Sequence, residues 1–312
     1  MVGEAQPTGW PRREFFDERD KYYVPKTYFD LTKISPLNLR THPTYGAHFH
    51  KIYDQRQPST ALDRNCWATC TANAAAAAFD YECKRQGLPA LQPSRLFLYF
   101  NARQLAWAKH KKPWNDPNSK SPAGQGSFIR LAFKSIHKDG VCAEADWGYD
   151  DAHFAAKPLE DTTKKALENH VAQYARLDPD QPEGVEKSMT PDEKEVIGAM
   201  TLLRLRQCLA EGYPVVFGFK YYWEVAPFTK DDASGIWALP PLPSKTGPPS
   251  DKFPGHSVLA IGFDDEEKRI LCQNSWGEAV EGAPFFWIGY DWIRDFEATS
   301  DFWMMRLVEK PK

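Results

Sequence analysis

Residues 70–83 read Cys-Thr-Ala-Asn-Ala-Ala-Ala-Ala-Ala-Phe-Asp-Tyr-Glu-Cys, and this run admits little but a helix. Alanine fixes no side-chain rotamers on entering a helix, which makes it the strongest helix former. Thr69 is placed to cap the N-terminus and Gly87 to end the helix. The helix therefore opens on a cysteine. A sulfur there meets unpaired backbone N–H groups and the positive end of the helix dipole, and both favour the thiolate.

The 312 residues carry 39 Lys+Arg against 42 Asp+Glu, a formal net charge of −3, with 42% hydrophobic residues. This composition excludes disordered and collagen-like chains, and the near-neutral balance leaves no electrostatic footprint for nucleic acid. The longest apolar run, 74–79, is too short to span a bilayer, so no membrane partner is expected. The first residues lack the basic and apolar regions of a secretory signal, and a cytoplasmic location is expected. The six cysteines, Cys66, Cys70, Cys83, Cys142, Cys208 and Cys272, are read as thiols, with three disulfides as the alternative. Cys66 and Cys70 with His48 and His50 fit no common zinc-finger spacing, so neither a metal nor another cofactor is expected.

Residues 1–47 show no period and read as an irregular extension with room for one short strand. Helices are expected from Thr69 or Cys70, from Ser94 past Arg103, over 127–138 with a stop at Gly140, over 162–175 and over 201–211. The polar stretch 178–195 reads as an insertion and 240–254 as a long loop. Strands are expected over 214–219, 257–263, 269–274, 285–290 and 302–308, the second and third forming a hairpin around 264–267. Helices come first and strands afterwards, the pattern of an α+β fold. In that hairpin Phe263 would face Lys268 and His256 would face Ser275, with Asn274 one residue away. An amide beside an imidazole can hold one ring nitrogen and aim the other at a thiol, which is triad logic with Cys70, His256 and Asn274.

These residues carry a resemblance. Tyr53-Asp54-Gln55 and Cys70-Thr71-Ala72-Asn73-Ala74 match the two ends of D-Q-G-x-x-G-S-C-T-A-N-A, the nucleophile motif of one branch of the papain-like cysteine peptidases of clan C1. Pro93-Ser94-Arg95-Leu96-Phe97 resembles that family's second helix. Asp139-Gly140-Val141-Cys142-Ala143-Glu144 with Trp147-Gly148-Tyr149 resembles its D-G-V-C-P-E…W-P-Y segment. Gly255-His256-Ser257-Val258 resembles G-H-A-V, and Asn274-Ser275-Trp276-Gly277 resembles N-S-W-G. The resemblance covers about residues 48–308. It implies a two-lobed papain-like fold, a helical lobe over about 60–155 followed by an antiparallel sheet or barrel lobe over about 156–308. Together they form a catalytic domain at 48–312, with substrate in the cleft between the lobes. It implies peptide or protein substrates, a thioester intermediate on Cys70, and a raised His256 pKa in a thiolate–imidazolium pair. Gly126 and Ser127 would bind substrate backbone, although Ser127 reads equally well as a helix cap.

The chain departs from the family before the nucleophile, where 56–69 replaces a short Gly-rich linker. The oxyanion donor implied by the family is Gln55, with Gln57 and Arg64 as alternatives. Cys66-Trp67-Ala68 resembles the C-W-A of another branch, which makes Cys66 a rival nucleophile. From Cys70 to His256 is 186 residues, more than the roughly 130–150 of compact relatives. An acyl transferase using the same triad and a catalytically impaired binding protein are the rival functions.

Overall fold

The computed structural model describes residues 20–34, 36–42, 68–89, 91–110, 126–179, 188–220, 228–231, 234–242, 255–277 and 284–309. After a short strand β1 (Leu37–Asn38) come helices α1 (Cys70–Arg85), α2 (Arg95–His110), α3 (Ile129–Asp139) and α4 (Glu160–Ala166). Strand β2 (His170–Arg176) precedes helix α5 (Pro191–Ala210), then β3 (Val215–Lys220), β4 (Thr229–Lys230) and β5 (Trp237–Ala238). Next come β6 (Gly255–Asp264), β7 (Arg269–Gln273), β8 (Phe285–Gly289), helix α6 (Tyr290–Arg294) and β9 (Thr299–Glu309). Among the described residues the strands form one sheet in the order β2-β9-β3-β6-β7-β8-β5-β4, with β1 also on β6. The pairings are antiparallel except β5 with β8. Helices precede most of the sheet, and the α+β class stands.

The central strands are apolar on both faces, as burial on both sides demands. Val216, Leu259, Ile261, Leu271 and Trp303 join the alanines of α1, Leu96 and Phe97 of α2 and Ile129 and Phe133 of α3 in one core. Val215, Phe217, Phe219, Val258 and Ile270 face the other way, against Leu205 and Leu209 of α5 and Trp292 and Ile293 of α6. Small alanines let α1 lie close to β6, and this contact brings the start of α1 to the His256 end of that strand.

Two expected elements differ. The stretch 162–175 is not one helix: α4 ends at Ala166, and β2 follows with Val171 buried and paired to Val308. Helix α5 begins at Pro191, ten residues before its expected start, inside the stretch read as an insertion. Thr190 accepts from the Glu193 N–H while Glu193 accepts from the Thr190 N–H, and Pro191 occupies the first turn. This is a capping box, legible as Thr-Pro-Asp-Glu in the sequence. At Gly140 the expected stop holds. Its φ is +71°, and an added Cβ would lie 1.9 Å from the Ala166 carbonyl oxygen. Among the described residues no helix is long and apolar enough to cross a membrane.

The described part of the N-terminal extension is tied to the sheet side. Leu37 pairs with Phe263. This pairing needs glycine at 262, where a Cβ would lie 2.2 Å from the Leu37 carbonyl oxygen. Buried Glu211, just past α5, accepts from the Tyr23 hydroxyl, the Lys26 and Thr27 N–H groups and the Arg306 guanidinium. Gln207 closes two bonds with the Phe29 backbone. Replacing Glu211 by alanine strands a buried guanidinium and two backbone donors. We expect Glu211→Ala to cost about 3 kcal/mol and to open residues 20–34 to proteolysis, as checked by thermal unfolding and cleavage mapping.

Candidate active site

Helix α1 starts on Cys70, which is partly exposed and a free thiol. Thr69 holds the cap position, but its hydroxyl does not cap the helix. It bonds the Tyr149 hydroxyl at 2.8 Å and accepts from the Asn73 amide at 3.1 Å. Asn73 also donates to the Thr69 carbonyl and accepts from Arg95, 3.1 Å away. Arg95 in turn forms a forked pair with Glu144 and lies 3.7 Å over the Tyr149 ring. The motif residues on both sides of Cys70 are thus one buried network around the turn that carries it. A forked guanidinium–carboxylate pair fixes orientation as well as distance, so the turn has little freedom.

His256 lies near the start of β6 and is buried. Its Nε2 lies 2.7 Å from Asn274 Oδ1. The same oxygen accepts from the Ser275 N–H at 2.9 Å, which identifies it as oxygen rather than nitrogen. His256 Nε2 must therefore donate, and Nδ1 carries the lone pair. Trp276 stacks on the imidazole at 4.7 Å between centroids, and Phe219 meets it edge-on. The turn of the hairpin differs from expectation. Asp264 pairs with Arg269, and a bulge lies between Ala260 and Gly262. The Asp264 carboxylate accepts from the Glu266 and Glu267 N–H groups, which moves the turn one residue later. Trp276, rather than Ser275, therefore comes over His256.

Ser257, next along from His256, lies close enough to the Cys70 sulfur, with Thr71, for the polar groups of both to oppose the effect of burial on the thiol. The thiol thus sits at the strand end that bears the imidazole. Gly126 and Ser127 lie just before α3. The cap position of that helix is Phe128, without a side-chain bond, so the reading of Ser127 as its cap does not hold. The Ser127 hydroxyl is buried and has no hydrogen-bond partner among the described residues. Gln55, Gln57, Arg64 and Cys66 lie outside the described residues, as do His48 and His50. Sequence reasoning missed the supporting roles of Thr69, Arg95, Glu144 and Tyr149, although each stands in a motif it quoted.

The electrostatics run against the expected ion pair. Burial pushes the Cys70 thiol up, opposed by the hydrogen bonds from Ser257 and Thr71. Burial pushes His256 down from 6.5 to about 4, opposed by the bond to Asn274. Removing water disfavours each charged form, so both directions oppose the charges that the expected ion pair would carry. Burial also raises Cys83 and Cys142 to about 12 and Cys208 and Cys272 well above the ordinary thiol range. All four are buried free thiols, as expected, and are inert as nucleophiles at neutral pH.

A thiol at a helix start, at the strand end that bears an amide-held imidazole, defines a candidate site of the cysteine-peptidase class. No protein-family model matches the chain. An uncharacterized peptidase C1-like protein of Acanthamoeba polyphaga mimivirus is 30% identical over 264 residues, 84% of this chain and 74% of that protein. Xylellain, a cysteine protease from Xylella fastidiosa, is similar in structure with a TM-score of 0.69 and 26% identity, over 99% of this chain and all of that one. Digestive procathepsin L 3 of the Tenebrio molitor larval midgut shares the fold at a TM-score of 0.57 and 13% identity, over 96% and 77% of the two chains. The chain belongs to the papain-like C1 family of cysteine peptidases.

A buried neutral histidine has a consequence for stability. Below pH 6.5 the unfolded chain protonates His256 and the folded chain does not until about pH 4. The unfolded state then binds more protons, so stability falls as pH falls through this window, by about 3 kcal/mol in full. Denaturant titrations of the protein and of His256→Gln between pH 7 and 4 should show a smaller acid loss in the variant.

Proposed function

We propose that the chain hydrolyses peptide bonds of peptide or protein substrates through Cys70, His256 and Asn274, with 48–312 as the catalytic unit. The observation that carries this reading is the shared Asn274 oxygen, which leaves the lone pair of His256 on Nδ1 at the strand end near which Cys70 opens α1. In this reading the pair rests neutral. As the sulfur attacks the substrate carbonyl, the thiol proton passes to Nδ1, and the carbonyl electrons move onto oxygen.

The Cys70 N–H stands in the first turn of α1, ahead of the helical ladder, where it would receive that oxyanion. Gln55 is the second donor in this proposal. An amide stabilises the oxyanion without the full charge of Arg64, which would also lower the nucleophilicity of the sulfur. The imidazolium then protonates the leaving amine and the C–N bond breaks, leaving a thioester. His256 next takes a proton from water, the hydroxide attacks the thioester, and Cys70 leaves as the thiol. Gly126 and Ser127 would hold the substrate backbone beside the cleft.

Cys70→Ala should abolish turnover while Cys66→Ala keeps most of it, in assays on short peptide amides. Gln55→Ala should lose about 10²–10³ in kcat with KM little changed. An active Cys70→Ala, or a hundredfold loss in Arg64→Ala with Gln55→Ala unchanged, would overturn the corresponding assignment.

A further inference from the structure

Helix α5 packs on the sheet face away from α1 and leaves an apolar row uncovered. Gly198, Leu205 and Leu209 face inward, Gly198 so closely that a Cβ would lie 1.9 Å from the Arg294 carbonyl oxygen. On the opposite side Val196, Met200 and Leu203 recur at i, i+4 and i+7, one face of a helix. They are 57%, 39% and 51% exposed, and Ala199 is exposed between them. Single exposed apolar residues are ordinary, whereas a contiguous row marks an interaction surface. Tyr28, 77% exposed, stands near the C-terminal end of the row, because the Gln207 side chain holds the backbone of neighbouring Phe29.

The charges beside this row divide along its length. Lys194, Glu195 and Arg206 are turned to Glu297, Arg294 and Asp265. That leaves Asp192 and Glu193 at the start of the helix and Arg204 near its end. Arg204 donates to the Leu177 carbonyl oxygen at 2.8 Å, and among the described residues it meets no carboxylate. Both bonds that the Glu193 carboxylate accepts from Thr190 fall on Oε2, which leaves Oε1 for a partner. Glu193 and Arg204 are eleven residues apart, close to three full turns, so they share one flank of the row. The row itself is symmetric about the point between Ala199 and Met200, with Val196 as far before it as Leu203 is after.

We propose that this face of α5 is a docking surface for a second copy of the chain, the two helices packed antiparallel about a twofold axis. Val196 of each copy then meets Leu203 of the other, and Ala199 lies beside Met200. In a twofold antiparallel pair each flank meets the same flank of the other copy, so Glu193 comes to Arg204. The two stand within about 3 Å of level along the axis, inside an arginine's reach. The symmetry makes every contact twice, which is what a self-complementary surface requires. A parallel pairing would instead set acid against acid and base against base. The candidate active site stays open in such a dimer. The alanines of α1 pack with Val216 and Leu259 on one side of the sheet, and α5 packs with Val215 and Phe217 on the other. The pairing does not depend on the chemistry proposed for Cys70.

The test is sedimentation equilibrium of the full chain across micromolar concentrations. The wild-type chain should show a monomer–dimer equilibrium. Leu203→Glu and Met200→Lys, both at exposed positions, should each raise the dimer Kd by about tenfold or more, with unchanged thermal midpoints. Arg204→Glu and Glu193→Arg each place two like-charge contacts in a dimer and should each raise Kd about tenfold. An equimolar mixture of these two variants should return to within about threefold of the wild-type Kd, since both contacts are then between opposite charges. A wild-type chain that is monomeric at every concentration overturns the proposal. So does a dimer that Leu203→Glu and Arg204→Glu leave unchanged, or a mixture no tighter than its components. If Glu193→Arg does not fold, Leu203→Glu and Arg204→Glu decide by themselves. Binding of a monomeric wild-type chain to phosphatidylserine vesicles, lost in Leu203→Glu, would overturn the pairing and assign the row to a membrane surface.

Discussion

The site depends on the buried fork between Arg95 and Glu144. It joins the start of α2 to the segment after Gly140, and through Asn73 and Tyr149 it locks the turn on which Cys70 stands. Removing either partner would leave a largely buried charge without its counterpart. The fork has no chemistry of its own. It fixes a backbone turn, and the turn fixes both the sulfur and the N–H beside it. The second half of the site is built differently. His256 is held by the Asn274 amide oxygen, the Trp276 indole face, the Phe219 ring and the strand that carries it.

That difference explains the balance of charge. A helix start and neighbouring N–H groups favour a thiolate, and the sequence alone suggests an ion pair. The folded site adds desolvation, which opposes charge on the sulfur and on the imidazole alike. In the proposed chemistry charge would then develop in the reacting complex, where dipoles already in place would meet it. Burial of His256 also affects acid stability, since the residue proposed as the base is one the unfolded chain protonates more readily.

Much of this was legible in the sequence. The alanine run, Gly140, the hairpin of β6 and β7 and the chain order of Cys70, His256 and Asn274 all follow from local signals that tertiary packing did not override. The misses have physical reasons. Strand β2 was hidden because Val171 and Tyr174 follow directly on a helix of good formers, and only pairing with β9 decides their state. The early start of α5 was signalled by Thr190 and Glu193, which were read as part of a polar insertion. The hairpin slipped by one because a carboxylate, Asp264, satisfies two turn N–H groups, a bond that periodicity cannot see. The Arg95–Glu144 fork links positions 49 apart in sequence and leaves no local signature.

The central claim is that the sulfur opening α1 becomes acylated. The direct measurement is acid-quenched single turnover of an activated peptide ester, followed by intact mass and peptide mapping. One acyl group per chain is expected, on the peptide containing Cys70 and absent in Cys70→Ala. An acyl group on Cys66, or product formed at wild-type rate with no acylated chain at any quench time, would contradict it.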